Sequence, residues 1–307
     1  MATHPWHIIG AGSMGCLWAA NFKLQGDDPC MILRPERFEL YQDSRMPLTV
    51  TTPEGDRSTH QLHISSPNHI RDQIHRLLIC TKAGDALQAV QSVEHCLAPS
   101  CHILLLQNGM GSQQAIARAL PDTRVWAASS TDGAWLEKPF NVHHAGWGVT
   151  WTGLLTEPER SSADSPELSL EHFPLKIQVT DQIQQKLWEK LAINCAINGM
   201  TALHNCRNGE LIDHGERQQQ LDGLIDEIIT VMEASNIPSS NLHNTIHSIC
   251  EKTARNFSST CVDRNRQRKT ELAYINGYLI ETAKSRSVAV PRHQALMSEL
   301  AGLGVRW

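Results

Sequence analysis

A glycine-rich motif near the N-terminus constrains the fold of this sequence more than any other feature. It has the pattern GxGxxG, follows an apolar run over residues 6–9 and precedes an amphipathic pattern over residues 14–24. In a strand–turn–helix unit the first glycine allows a tight turn, the second lets a pyrophosphate approach the backbone, and the third lets helix and strand pack closely. The pyrophosphate accepts hydrogen bonds from N–H groups at the helix N-terminus. A plain glycine turn is the alternative, but the context predicts a Rossmann-type dinucleotide-binding unit. The residues of the motif are Gly10, Ala11, Gly12, Ser13, Met14 and Gly15.

The predicted cofactor depends on the residue after the second apolar run, residues 30–33. NAD sites usually place Asp or Glu about 20 residues beyond the motif, where the carboxylate accepts from the ribose 2′-OH. Here Arg34 stands 19 residues after Gly15, with Arg37 close behind. A guanidinium suits a 2′-phosphate, so the sequence predicts NADP(H). The alternative is that Arg34 is a solvated loop charge.

Lys82 and Asn108 each come shortly after a later apolar run, residues 77–80 and 103–106. Ligands of open α/β sheets bind outside the carboxyl ends of the strands, so both side chains are expected to face the cofactor crevice. Asn108-Gly109 also has the composition of a turn, which by itself could explain the asparagine.

Short apolar runs alternate with helical patterns through the first half, which predicts βαβ units and a parallel sheet. Further strands are expected over residues 149–154 and 175–179, with a polar surface loop over 156–169. From Asp181 long helical periodicities follow. The predicted fold is α/β, with an N-terminal Rossmann-type doubly wound parallel sheet (residues 1–180) and a C-terminal all-helical domain (181–307). The helical patterns cover residues 182–203, 216–235, 239–257, 258–285 and 291–303.

Two polar stripes lie on the predicted C-terminal helices. Lys190, Asn194 and Asn198 recur at i, i+4 and i+8 among apolar neighbours, so they share one face of a helix that should be buried nearly all round. Buried polar groups need partners, which could be other side chains or a polar ligand. The second stripe, Ser259, Asp263 and Glu271, is expected on a helix over 258–285, where it could cap or pair with basic residues; Glu271 is expected to be drawn inward.

Composition excludes several classes of protein. The 307 residues carry 27 Lys+Arg and 32 Asp+Glu, a net charge of −5 that gives no electrostatic case for nucleic acid or an anionic membrane surface. No run approaches the roughly 20 apolar residues that span a bilayer, and no secretory signal is evident, so a cytoplasmic protein is expected. Nine widely spaced cysteines without a CxxC pair suggest neither a disulfide framework nor a thiolate metal site. His243 and His247 have helical metal-ligand spacing, but no third ligand is evident, so an ordinary helix face is favoured and no metal is predicted.

In combination, these motifs resemble the ketopantoate reductase family. The resemblance rests on the glycine motif, Thr81-Lys82-Ala83, Gln107-Asn108-Gly-Met-Gly111 and the Lys190–Asn198 stripe, and it continues along nearly the whole chain. The remaining matching pieces are Asn208-Gly-Glu-Leu, Ser258-Ser259 through Asp263 to Thr270-Glu271, Tyr274-Ile-Asn-Gly-Tyr and Val288-Ala-Val-Pro291.

The resemblance implies NADPH-dependent reduction of 2-dehydropantoate to pantoate, in pantothenate and coenzyme A biosynthesis. Lys190 would give a proton to the ketone oxygen, and Asn108 and Glu271 would lie beside the nicotinamide. The implied catalytic residues are Lys190 and Glu271. Further cofactor contacts are implied for Arg34, Lys82 and the backbone of Ala134. Substrate contacts are implied for Asn108, Asn194, Asn198, Asn208 and Ser259.

Departures from the family pattern leave the substrate open. Asp132 stands where many relatives carry an aromatic residue or histidine, residues 156–170 form an acidic insertion, and Gly199-Met200 replaces a frequent proline. Another small 2-keto acid, or a non-catalytic NADP-binding sensor, are the alternatives. A monomer and a homodimer both fit the sequence.

Overall fold

The computed structural model describes residues 4–41, 45–156, 168, 170, 173–213 and 215–307. The chain divides into two compact units. Unit 1 comprises Met1–Gln107 and Ser112–Ile183, and unit 2 comprises Asn108–Gly111 and Gln184–Trp307. Most of the loop expected over residues 156–169 lies outside the described residues.

Unit 1 is built on one mixed sheet. The order of its strands is β11-β10-β7-β6-β5-β1-β2-β4-β3-β9-β8, and the six neighbours from β7 to β4 are all parallel. The pairs β10–β7, β3–β4 and β8–β9 are antiparallel. The predicted fold class is therefore confirmed, with antiparallel additions on both sides of the parallel core. The strands are β1 (Trp6–Ile9), β2 (Cys30–Ile32), β3 (Arg45–Thr51), β4 (Arg57–Ser65), β5 (Ile74–Ile79), β6 (Leu97–Leu105), β7 (Arg124–Ser130), β8 (Gly133–Lys138), β9 (Asn141–Gly146), β10 (Thr150–Thr156) and β11 (Ile177–Val179).

Helices cover both faces of the parallel core. The helices of unit 1 are α1 (Ser13–Leu24), α2 (Pro35–Phe38), α3 (Ala83–Gln91) and α4 (Ser112–Ala119). Successive residues of a strand point to opposite faces. Accordingly Ile8 of β1 packs in the core cluster that contains α1, whereas Ile9 packs in the cluster that contains α3 and α4. This two-sided burial explains the apolar runs in the parallel strands β1, β2, β5 and β6.

Helix α1 is apolar nearly all round because protein surrounds it. It contacts β1 and also β3, β4, β8 and β9. Trp18 and Phe22 are fully buried, and their rings pack against each other and against Phe173. The helix that presents the glycine motif is thus held rigidly by the largest side chains of the core.

Unit 2 is helical apart from its short connections. Its helices are α5 (Ile183–His204), α6 (Glu216–Ala234), α7 (Leu242–Lys252), α8 (Ser259–Asn265), α9 (Asn276–Ser285) and α10 (Pro291–Gly302), with 3-10 turns at Asn208–Leu211 and Leu272–Tyr274. Among the described helices, none combines the length and the apolar character that a membrane crossing requires.

The prediction of one helix over 258–285 is wrong. Helix α8 ends at Asn265 because Gln267 adopts a left-handed backbone with φ of +53°, and the Arg268 N–H turns back to the carbonyl of Asp263 at 2.8 Å. The chain contains no glycine or proline there, so the break left no clear sign in the sequence. Ser259 and Asp263 therefore lie on α8, whereas Glu271 precedes a separate 3-10 turn.

Candidate functional site: a nucleotide turn and a polar helix face

Two of the motif glycines are required by close packing. Gly10 has φ of +112°, and a Cβ there would lie 2.6 Å from the carbonyl carbon of Cys80, just beyond β5. A Cβ on Gly15 would lie 1.9 Å from the carbonyl oxygen of Gly10. These clashes let only glycine bring α1 this close to the strand ends.

Gly12 is required by neither packing nor its backbone angle. No heavy atom lies within 4 Å of the position that its Cβ would take, and its φ of −86° is ordinary. It is the N-cap of α1, and no side chain caps the helix there. The first N–H groups of a helix lack partners within the helix, so this open space is a cradle for an anion. The residues present therefore fit the pyrophosphate of a dinucleotide.

Three predicted cofactor residues lie at one edge of the sheet. Strands β5, β1 and β2 are parallel neighbours, and their carboxyl ends lead into Lys82, the glycine turn and Arg34, respectively. The hydroxyl of Thr81 is buried at this edge and has no hydrogen-bond partner among the described residues. A buried, unsatisfied hydroxyl is costly, and a polar ligand at this edge would satisfy it.

Arg34 is not a bare solvated charge. Its Nη2 donates to the Asp85 carboxylate at 2.9 Å, and both side chains are more than half exposed. Asp85 is on the first turn of α3. An exposed pair of this kind contributes little to stability, so the guanidinium can exchange this carboxylate for a more highly charged phosphate. Sequence analysis missed Asp85 because the two residues are 51 positions apart.

Asp132 belongs to a buried network in unit 1. Its carboxylate pairs with the Nε2 of His144 at 3.1 Å, and both side chains are almost completely buried. It also accepts from the backbone N–H of Gly148 at 2.9 Å and from the hydroxyl of Ser130 at 3.0 Å. The departure at position 132 is thus accommodated by its own partners. His143 and His144 lie within β9. Ala134 is partly buried on β8, which is the edge strand next to β9 and contacts α1.

The thiols close to the glycine turn are inert. Burial raises the pKa of the Cys16 thiol to about 12, and burial also raises the pKa of the Cys80 thiol. All nine cysteines are free, and seven of them are buried. The seven buried ones therefore act as small apolar side chains.

In unit 2, α5 carries the first polar stripe. Lys190 and Asn194 are half-buried, and Asn198 is buried within an unbroken buried stretch over residues 195–202. The predicted burial of this helix is confirmed. Its C-terminal end is capped by Arg264 of α8, whose Nη1 donates to the carbonyl of Ala202. The stripe is therefore presented by a rigid element.

Asn108 and Glu271 are brought together although they are 163 positions apart. The Asn108 Nδ2 donates to the Glu271 Oε2 at 3.1 Å. The turn that holds Asn108 packs on Tyr274, because the Met110 N–H donates to the Tyr274 carbonyl at 2.8 Å and a Cβ on Gly109 would lie 2.3 Å from that oxygen. Residues 108–111 thereby belong to unit 2, and the amide of Asn108 has a fixed orientation.

Asn208 and Ser259 differ in how they are held. Asn208 is 8% exposed, its Nδ2 donates to the Thr253 hydroxyl at 2.9 Å, and its Oδ1 is buried without a partner among the described residues. Ser259 is exposed on the first turn of α8, and Ser258 is the N-cap, accepting from the Cys261 N–H at 3.1 Å. Asn208 thus offers an unsatisfied acceptor, and Ser259 offers an accessible hydroxyl. Asp263, from the same predicted stripe, pairs with Arg268 at 3.1 Å.

One solved structure with a similar fold is a D-mandelate dehydrogenase, determined as a ternary structure with NADH and anilino(oxo)acetate. It has a TM-score of 0.84 to this chain at 20% identity, over 97% of this chain and 98% of that chain. The likeness supports the fold of this chain.

Sequence comparison extends over almost the whole chain. A family model described as ketopantoate reductase PanE/ApbA matches residues 6–157, and one described as ketopantoate reductase PanE/ApbA C terminal matches residues 182–304. The 2-dehydropantoate 2-reductase of Vibrio cholerae serotype O1 is 29% identical over 304 residues, covering 98% of each chain. That of Yersinia pestis is 30% identical over 295 residues, covering 94% of this chain and 91% of the relative. The predicted resemblance and the prediction of a nicotinamide-dependent oxidoreductase are confirmed. This chain belongs to the ketopantoate reductase family.

Proposed function

We propose that this protein reduces 2-dehydropantoate to pantoate with NADPH. The observation that carries the proposal is the Lys190–Asn194–Asn198 stripe on the buried helix α5, in a chain whose other unit presents an open dinucleotide cradle at Gly12. The proposal assigns cofactor binding to residues 1–180 and substrate binding to residues 181–307, with Asn108 and Glu271 beside the nicotinamide. Both relatives named above carry this activity in their names.

The reaction joins a hydride to a carbonyl carbon and a proton to its oxygen. The reduced nicotinamide, when bound, supplies the hydride. The ammonium of Lys190 stabilises the developing alkoxide and then gives it a proton. Asn194, Asn198, Asn208 and Ser259 bind the hydroxyl and carboxylate of the substrate and hold the carbonyl in one orientation.

NADP(H) is proposed as the cofactor because a guanidinium, not a carboxylate, follows β2. Arg34 would exchange Asp85 for the 2′-phosphate, and Lys82 would contact the cofactor at the next strand end. The backbone of Ala134 would provide a further contact. Dissociation constants of NADPH and NADH for the purified protein test this assignment, and equal affinities would contradict it.

The alternative substrate is a 2-keto acid other than 2-dehydropantoate. The similarity in fold to a dehydrogenase solved with anilino(oxo)acetate favours this alternative. The test is NADPH oxidation, followed by absorbance, with ketopantoate and with a series of small and aromatic 2-keto acids. If ketopantoate gives the highest kcat/KM, the proposal is supported. If another acid gives a higher kcat/KM, that acid takes the place of ketopantoate as the proposed substrate. NADPH binding without turnover of any acid would indicate a sensor instead.

A further inference from the structure

A cluster of histidines and aspartates joins α6 to α7, and none of its residues is assigned to the reaction. His243 and His247 are one turn apart on α7, and Asp222 and Asp226 are one turn apart on α6. Asp222 meets His247 and Asp226 meets His243, so the two helices run antiparallel. The sequence contains no local sign of a third ligand for the histidine pair; the fold provides it.

Three ligand atoms converge on one point. The Asp222 Oδ1 lies 2.7 Å from the His247 Nε2 and 3.5 Å from the His243 Nδ1. One ligand atom from each of these three residues lies within 4.8 Å of the others. Around a tetrahedral zinc ion with bonds of about 2.0–2.1 Å, ligand atoms are about 3.3 Å apart. The observed separations lie on either side of that value, so small rotations of the side chains would admit the ion.

Asp226 orients one of the ligands. The Nε2 of His243 lies 2.9 Å from the Asp226 carboxylate, while its Nδ1 points to Asp222. When Nε2–H donates to a carboxylate, Nδ1 keeps its lone pair and becomes the more basic nitrogen. Metal-binding histidines commonly have such an outer carboxylate partner. This geometry suits the tautomer that ligation requires, with the proton on Nε2 and the lone pair on Nδ1.

We propose that Asp222, His243 and His247 form a binding site for a divalent transition-metal ion of the zinc type, with Asp226 as the outer partner of His243. Two imidazoles and one carboxylate suit such ions, and the fourth position is open to water because the side chains are only partly buried. The ion would replace the hydrogen bond between His247 and Asp222.

The metal would also stabilise the segment of chain that holds Asn208 in place. The chain just after α7 holds the 3-10 turn at Asn208, through the Asn208 N–H to the Asn256 carbonyl at 2.9 Å and the Gly209 N–H to the Ala254 carbonyl at 3.2 Å. An ion bound by the native state alone stabilises that state by mass action. Zinc is therefore expected to raise the thermal midpoint of the protein.

The test uses the 307-residue chain after dialysis against a chelator. Zn²⁺ affinity is measured by competition with a chromophoric chelator, and Co²⁺ is used to read the ligand geometry from its visible spectrum. We expect one ion per chain, the absorption bands of tetrahedral Co²⁺ and a higher thermal midpoint with Zn²⁺. His247→Phe should lower the Zn²⁺ affinity at least about tenfold, and Asp226→Asn should lower it about tenfold while keeping one ion per chain.

Two variants separate loss of a ligand from loss of structure. His247→Cys keeps a ligand and should retain binding, whereas His204→Ala removes a histidine of α5 that contacts the amide of Gln220 and should change nothing. An unchanged Zn²⁺ affinity in His247→Phe, or an equal loss in His204→Ala, would overturn the proposal. Circular dichroism of the metal-free variants confirms that each has folded.

Discussion

The glycine turn of unit 1 and the polar stripe of α5 in unit 2 are specified by different kinds of information. The turn depends on backbone geometry. A Cβ on Gly10 or Gly15 would strike protein atoms, whereas a Cβ on Gly12 would meet no protein atom and would only fill the space proposed for the pyrophosphate. The stripe depends on the chemistry of its polar side chains, and its helix is buried because the neighbouring side chains are apolar. Substitutions in the turn should therefore separate stability from binding, whereas those in the stripe should act on the chemical step.

The largest expected effect is that of Lys190→Ala. If Lys190 is the proton donor, its loss should lower kcat about 10²–10⁴-fold with a smaller change in KM. Steady-state NADPH oxidation with ketopantoate measures both. The matched control is Lys186→Ala on the same helix, since Lys186 pairs with Glu189 at 2.9 Å and is assigned no chemical role. A near-normal kcat in Lys190→Ala would contradict the assignment of Lys190 as the proton donor.

The next largest effects are expected at two glycines of the same turn, one in stability and the other in cofactor binding. Gly15→Ala forces a Cβ to within 1.9 Å of the Gly10 carbonyl oxygen and should destabilise the protein by about 3 kcal/mol. Gly12→Ala should leave the free energy of unfolding nearly unchanged and weaken NADPH binding at least about tenfold, because its Cβ would occupy the space proposed for the pyrophosphate.

Urea denaturation and fluorescence titration with NADPH provide the two measurements. Gly302→Ala, a helical position in α10 with no atom near its Cβ, is the control for both. A Gly12→Ala variant that binds NADPH normally would show that the open space is not the cradle.

A smaller effect is expected at the end of β2. Arg34→Ala should weaken NADPH about tenfold, the value of one charge-assisted contact, and leave NADH unchanged. Asp85→Asn removes the carboxylate that Arg34 now binds at 2.9 Å and should strengthen NADPH slightly. Equal losses for both cofactors in Arg34→Ala would mean that Arg34 does not read the 2′-phosphate.

The smallest effect concerns acid, and it contrasts the cores of the two units. Burial lowers the pKa of His7 and of His102 in unit 1 to about 4, and for His102 the nearby Arg124 and Arg76 add to the shift. A folded pKa below the unfolded value of 6.5 means that this stabilisation is present above pH 6.5 and is lost as the pH falls toward 4. In unit 2, burial acts to raise the pKa of Glu227, but hydrogen bonds from the His293 side chain and from the N–H groups of Arg292 and His293 lower it overall. The stability that Glu227 contributes is therefore lost only when the pH falls below the pKa that a glutamate has in the unfolded chain.

Urea denaturation between pH 7 and pH 4, followed by tryptophan fluorescence, tests this contrast. Six of the eight tryptophans lie in unit 1, so the signal reports mainly on that unit. His102→Phe should flatten the decline of unfolding free energy with falling pH. An unaltered pH dependence would show that this histidine is not the cause.

Sequence patterns predicted four of the six parallel core strands, β1, β2, β5 and β6, because buried strands and amphipathic helices have distinct periodicities. They missed β4 and β7 of that core, and also β3, β8 and β9. In β4, for example, polar and apolar residues are mixed and burial is confined to the second half of the strand. They also joined α8 to α9 because the left-handed residue at the break is Gln267 rather than glycine. Short, half-exposed strands and non-glycine turns leave weak local signals.

The sequence by itself determined the fold class, the glycine turn and the membership of the chain in its family, because each depends on residues close together along the chain. Tertiary structure alone decided that Asn108 meets Glu271, that Arg34 meets Asp85 and that Asp222 joins the histidines of α7. The partners in each of these contacts are distant along the chain. Local propensity carries no information about which distant side chains the packing of the core will bring within hydrogen-bond distance.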